Sequence, residues 1–108
     1  MKTLTFVVQE PRRTDVVIDV QADRILLGSG AHCDIRLPLE AAAWEHVVVT
    51  IENDCVIARV IPTDGAVFFD GEARRELELQ PGVVMRIDSV AVTLRDYAEK
   101  DAKVEKKS

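Results

Sequence analysis

The chain is short of cysteine, histidine and aromatic residues, has no surplus of positive charge and contains no long apolar run. Each shortage excludes something. The two cysteines, Cys33 and Cys55, are too few and too far apart for a zinc-site spacing. Each is read as sitting in an apolar context, with Ile35 and Leu37 after Cys33 and Val56 and Ile57 after Cys55, which predicts two buried thiols in a reducing compartment. The two histidines, His32 and His46, have no second ligand at a useful spacing, so no metal site is expected. No apolar run approaches the ~20 residues needed to cross a bilayer. The N-terminal stretch Met1–Gln9 is too short and too alternating for a signal peptide. Together these absences predict a soluble, cytoplasmic chain that does not itself insert into a membrane.

The charge balance excludes another class. Formal net charge is −5, and setting aside residues 97–108 leaves 10 cations against 16 anions, or −6. A nucleic-acid binder would need a cationic face to displace counterions, so none is expected as a partner. Gly28-Ser29-Gly30 is followed by neither a Lys nor a helix, which argues against a nucleotide cradle. Ser29 and His46 could suggest a hydrolase pair, but there is no nucleophile elbow and no acid placed to orient the imidazole. Neither an enzyme nor a cofactor is expected.

What is present is a strand pattern. The 108 residues suit one domain, with an ordinary 47% hydrophobic and 31% charged. A domain of this size buries roughly two-thirds of its unfolded surface, enough for a core without staples. Val47, Val49 and Ile51 alternate with Val48, Thr50 and Glu52. Asn53-Asp54 can turn the chain, and Val56, Ala58 and Val60 resume the alternation, predicting a hairpin over 47–60. A second hairpin is predicted from Val83, Met85 and Ile87 through Asp88-Ser89 to Val90, Val92 and Leu94, with a turn at Pro81-Gly82 before it. Further strands are expected at Thr3–Gln9, Val16–Val20, Arg24–Leu27, Asp34–Leu37 and Val67–Phe69, with a hairpin turn at Asp70-Gly71. Leu39–His46, with its Ala-Ala-Ala core, is too short for an independent helix and reads as a structured loop with at most one helical turn. Many short strands between polar turns predict an all-β sandwich or barrel. The domain is expected over 1–96, and 97–108 is expected to be a polar, Lys-rich tail or the start of a linker.

One run carries a family resemblance. Ile25-Leu26-Leu27-Gly28-Ser29-Gly30-Ala31-His32-Cys33-Asp34-Ile35-Arg36-Leu37 resembles the forkhead-associated (FHA) domain, which typically shows a strand ending in Gly-Arg, three residues, then Cys-Asp-Ile-x-Leu. His46 follows Leu37 by nine positions, as the family's His does. Thr63-Asp64-Gly65 resembles the family's Asn-Gly loop, and Leu79–Ile87 its Leu-x-x-Gly-Asp-x-hydrophobic stretch. The resemblance covers roughly residues 3–95 and implies an FHA-like β-sandwich of about ten or eleven short strands, with its loops at one apex.

The departures from that pattern set the functional expectation. The family's Arg after Gly, a cationic fork for phosphate, is Ser29. Its Ser, three before the His, is Ala43; the next residue, often Arg, is Trp44, and Glu45 adds negative charge. Its peptide-holding Asn is Asp64. A phosphothreonine carries about −1.5 to −2 charge and needs several charge-assisted donors, which this pattern removes. Arg12-Arg13, Arg24 and Arg36 are the basic residues that could restore them. Gly-Ser for Gly-Arg with a retained His further resembles the cytoplasmic FHA-like domain of the type III secretion inner-membrane ring protein (the SctD/YscD class). That resemblance implies a phospho-independent docking or scaffolding role in a bacterial membrane-associated machine, as the cytoplasmic domain of an inner-membrane protein. Its partners would be cytoplasmic components of the assembly, with self-association in a ring as a further option. The alternatives are a phosphothreonine-peptide adaptor and a part of another envelope machine, such as a gliding-motility complex. The expected partner-binding residues are Ser29, Gly30, His32, Ala43, Trp44, Glu45, His46, Asp64 and Gly65.

Several side chains carry two readings. His46 is expected to hydrogen-bond within its loop rather than bind a metal. His32 is read first as a solvated loop residue, with a contact role second. Trp44, the only tryptophan, is either a core cap or an exposed anchor, with partial burial favoured. Arg74-Arg75 is read as a solvated pair, or one facing an acidic partner. In Ala66–Phe69, alternate residues should enter the core, leaving one Phe outward.

Overall fold

Valine, isoleucine and leucine at alternate positions fit a pleated surface buried on one side, and here they make strands throughout. A computed structural model describes residues 2–99, which form eleven strands and no helix. In chain order these are β1 (Lys2–Gln9), β2 (Val16–Val20), β3 (Arg24–Gly28), β4 (Ile35–Arg36), β5 (Val47–Glu52) and β6 (Cys55–Val60). They continue as β7 (Val67–Phe69), β8 (Glu72–Arg74), β9 (Glu76–Leu79), β10 (Val84–Ile87) and β11 (Val90–Glu99). β8 and β9 are additions to the strands named from the pattern. Two sheets result, one of six strands in the order β2-β1-β11-β10-β7-β8 and one of five in the order β4-β3-β5-β6-β9.

The sheets face each other across one core. Phe6, Leu4, Ile25, Leu27, Ile35, Met85, Ile87 and Leu94 are among its fully buried members. In β6 the alternation is visible residue by residue: Val56, Ala58 and Val60 are buried, while Cys55 is exposed. The same parity corrects the expectation of two buried thiols. Cys55 falls on the outer phase of β6, and Cys33 is only half-buried in a loop. In β7, Val67 is buried and Phe68 points outward at 42% exposure, with Phe69 half-buried.

One end of the sandwich is closed by tight turns. Asn53 and Asp54 have φ of 52° and 65°, and Asp70 and Gly71 have 52° and 81°, the left-handed pairs that match hairpin twist. At Pro81-Gly82, the Val83 amide donates to Gln80 O at 2.9 Å. β11 runs on to Glu99, three residues past the boundary expected at 96, and pairs with β1 along its length. Residues 100–108, the rest of the expected tail, lie outside the described residues.

The strand directions gather the longer connections at the opposite end. Loops 10–15, 29–34, 37–46 and 61–66 all open there, beside the turn at 88–89.

Candidate functional site

The apex is built around one close backbone approach. Gly28 ends β3 where the loop 37–46 folds over it. A Cβ on Gly28 would lie 2.4 Å from Trp44 O and 3.0 Å from Ala43 O, both main-chain atoms. Only glycine fits there. The two loops are then laced by main-chain bonds: the Ser29 amide donates to Ala43 O at 2.9 Å and the Gly30 amide to Trp44 O at 3.0 Å. Leu37 N donates to Gly28 O at 2.7 Å. Asp34 closes the loop on itself. Its amide donates to Leu26 O at 2.9 Å, and its carboxylate accepts from the Leu26 amide at 2.8 Å. Ile35 and Leu37 anchor the other side in the core. The Cys-Asp-Ile-x-Leu run is thus a structural clamp. Burial pushes the Cys33 thiol up, with smaller contributions from Glu45 and Asp34, and its sulfur lies 3.3 Å from Trp44 O as a weak donor.

His46 ties the second loop to the third. Its Nδ1 accepts from the Ala43 amide at 3.1 Å, and its Nε2 is 3.1 Å from Ala66 O. With Nδ1 accepting, the proton sits on Nε2 and is donated to Ala66 O. This is the internal hydrogen bonding expected of His46. The Ala-rich loop makes one turn, with Pro38 O accepting from Ala41 N and Ala42 N at 3.0 and 3.1 Å.

Arg75 was missed by sequence reasoning. Its Nη1 donates to Pro62 O at 2.6 Å, Gly65 O at 2.8 Å and Thr63 O at 3.3 Å, and its Nη2 to Val60 O at 3.4 Å. One guanidinium therefore holds the whole 61–66 loop. Arg75 stands where the chain leaves β8 for β9 and changes sheets, which aims it at that loop. Nothing in the local pattern separates it from Arg74. Arg74 has its guanidinium carbon 5.7 Å from the Phe69 ring centroid and pairs with Glu72 at 3.2 Å. Both side chains remain in contact with solvent, as expected of a solvated pair, and each also has partners within the domain.

The expected site residues separate into three groups. Ser29, at 4% exposure, and Gly30 are buried, so what they supply is main chain. Ala43, Glu45, His46 and Gly65 are half-buried, and His32, Trp44 and Asp64 are exposed. Trp44 is 62% exposed, which corrects the leaning toward partial burial. The physical cause is the approach over Gly28: the Trp44 carbonyl turns inward to accept from Gly30 and Cys33, leaving the indole outside. His32 is an exposed loop residue, as first read, and it also pairs within the apex. Its Nε2 lies 2.6 Å from Glu45 Oε2, and its ring centroid is 5.5 Å from that of Trp44, tilted by 36°.

The cations near the apex are mostly occupied. Arg75 is spent on carbonyls, and Arg13 pairs with Glu10 at 3.5 Å. Arg36 reaches Ser29 O with its Nε at 3.4 Å. Arg13, Arg36 and Ser29 line a cavity of about 370 Å³, together with Glu10 and Glu40. Arg24 starts β3 at the other end of the sandwich. Among the described residues no cluster of three or more metal-ligating side chains occurs, and no helix is long and apolar enough to cross a membrane.

Eleven short strands in two sheets, with a Gly-led loop, a Cys-Asp-Ile clamp and a loop histidine at one apex, define the forkhead-associated fold. Solved structures agree. The FHA domain of the CT664 protein from Chlamydia trachomatis superposes with a TM-score of 0.74 at 20% identity, over 91% of this chain and 100% of that one. The FhaA FHA domain, solved in complex with the intracellular domain of Rv3910, gives 0.70 at 15% identity, over 88% and 100%. Mycobacterium tuberculosis EmbR, in complex with a low-affinity phosphopeptide, gives 0.72 at 17% identity, over 90% of this chain and 26% of that one. No protein-family model and no curated protein sequence matches the chain.

Proposed function

We propose that this domain is a non-catalytic module that docks a partner protein through its apex loops without reading phosphate. The observation that carries this is the exchange at the apex. Where the family resemblance expects a cationic fork stands Ser29, buried at 4% exposure, and beside it an indole 62% exposed. The outward groups there are Trp44, Glu45 and Asp64, an aromatic anchor with carboxylates, which repels a dianionic ester and suits a protein surface. The solved structures in complex with an intracellular domain and with a phosphopeptide support a binding role for this fold. A bacterial membrane-associated machine is the setting we infer, with a type III secretion basal body as first candidate. There the chain would sit on the cytoplasmic side, contacting cytoplasmic components of the assembly.

The phosphothreonine reading has one observation in its favour, the cavity that Arg13, Arg36 and Ser29 share. Its two arginines are offset by Glu10 and Glu40 on the same walls. Titration with a phosphothreonine peptide library decides between the two, read by the fluorescence of the single, exposed tryptophan. No saturable change is expected. Saturable binding that phosphatase abolishes and Arg36→Ala removes would establish the phosphate reader instead.

A further inference from the structure

A second surface lies away from the apex, on the outer face of the six-stranded sheet. Strand alternation sends Phe6, Ile18, Met85 and Leu94 to the core, so their neighbours form the outer face. The registers place these neighbours in rows. Val17 on β2 stands beside Val7 on β1, Val7 beside Thr93 on β11, and Thr93 beside Val84 on β10. One row nearer the apex, Arg86 on β10 stands between Ala91 and Phe68. At the other edge of that row, Gln9 donates to the Asp15 carboxylate at 3.2 Å. Val17, Phe68 and Val84 are 51%, 42% and 38% exposed. The Arg86 side chain is exposed and makes no hydrogen bond or ion pair with any described residue.

The pattern is symmetric about the seam between β1 and β11. β2 and β10 lie equally far from it, one carrying Val17 with Asp15 just before it, the other carrying Val84 with Arg86. A twofold axis laid along the strands over that seam brings β2 of one copy onto β10 of another. Val17 then meets Val84, Val7 meets Thr93, and Asp15 meets Arg86, each contact occurring twice. We propose that this face is self-complementary and pairs two copies of the chain sheet against sheet.

The geometry fits known packing. Sheets stack at about 10 Å with strand directions within about 30° of each other. Such a contact is isologous and closes on itself as a dimer rather than building a ring. The competing twofold, across the strands, would set Arg86 over the Pro81-Gly82 turn and leave Asp15 without Arg86 opposite it. Four strands about 4.8 Å apart and about 20 Å long cover roughly 400 Å² per copy, so the pair belongs with weak, transient interfaces. It would populate where copies are concentrated. Both apices then point the same way, which presents two docking ends side by side. The pairing does not depend on what the apex binds.

Sedimentation velocity on the whole chain tests this, from about 10 µM to about 1 mM at about 0.15 M salt, where charges beyond a Debye length are screened. The wild type should shift from monomer toward dimer. Asp15→Arg and Arg86→Asp should each weaken association by about tenfold or more, and the double swap should recover most of it. Val17→Lys, at an exposed edge position, should also abolish it, which keeps the test decisive if a swap variant misfolds. Amide chemical shifts that change with concentration should fall on β2, β1, β11 and β10. A monomer at every concentration overturns the proposal. So does association that neither single swap weakens, a double swap without recovery, or shifts confined to the apex.

Discussion

The two ends of this sandwich are made differently. At the end away from the apex, the two-residue turns Asn53-Asp54 and Asp70-Gly71 reverse the chain with left-handed φ at both residues. At the apex, loops of six to ten residues are held by groups distant in sequence. His46 reaches Ala66, Arg75 reaches four carbonyls between Val60 and Gly65, and Gly28 lets the Ala43–Trp44 backbone settle onto β3. Local chemistry makes the turns, whereas long-range bonds make the apex. A surface held this way keeps its shape when its outward residues change. At this apex the outward side chains are Trp44, Glu45 and Asp64, while the clamp beneath them is main chain and core.

Glycine substitutions should separate the two ends most sharply. Gly28→Ala drives a Cβ into main-chain oxygen at 2.4 Å and should cost about 3 kcal/mol or more in chemical denaturation. Gly71→Ala meets open space and only its φ of 81° resists it, so about 1 kcal/mol is expected. Equal costs would show that the close approach does not govern the apex. Next comes His46→Ala, which strands the Ala43 amide and the Ala66 carbonyl. About 2 kcal/mol should be lost, with faster amide exchange in both loops 37–46 and 61–66. Arg75→Ala should be milder, about 1 kcal/mol, and confined by amide exchange to 61–66. Spread into loop 37–46 would mean the two fasteners act as one.

The smallest effect lies on β5 and β6, beside the Asn53-Asp54 turn. Arg59 and Thr50 hold the Glu52 carboxyl at about 2, below its ordinary 4.5. Because the folded value is depressed, the contribution is full above about 4.5 and fades as pH falls toward 2. The melting-temperature gap between wild type and Glu52→Gln should therefore be small at neutral pH and close on acidification. Both groups are exposed, so a gap that widened instead would contradict the sign.

Much of the fold was legible in the residues. The period-two runs marked nine of the strands, and Asn-Asp, Asp-Gly and Pro-Gly marked their turns, because strand alternation and turn geometry are properties of adjacent residues. β8 and β9 are harder to read because Glu76-Leu77-Glu78-Leu79 alternates over only four residues and the stretch 72–75 before it holds a single apolar residue, with a change of sheet at Arg75. Cys55 was misjudged because its apolar neighbours did not reveal the phase of the strand. Trp44 was misjudged because the direction of its side chain depends on a carbonyl bond across to another loop.

By itself, the order of residues determined nine of the strands and their hairpin turns, since each is carried by near neighbours or by residue type. Only the tertiary structure decided that Trp44 faces solvent, that Arg75 is spent on the 61–66 loop and that Asp15 and Arg86 flank one seam symmetrically. Those facts depend on which strands lie side by side, and strand order is set by packing two sheets over one core, not by any single stretch of chain.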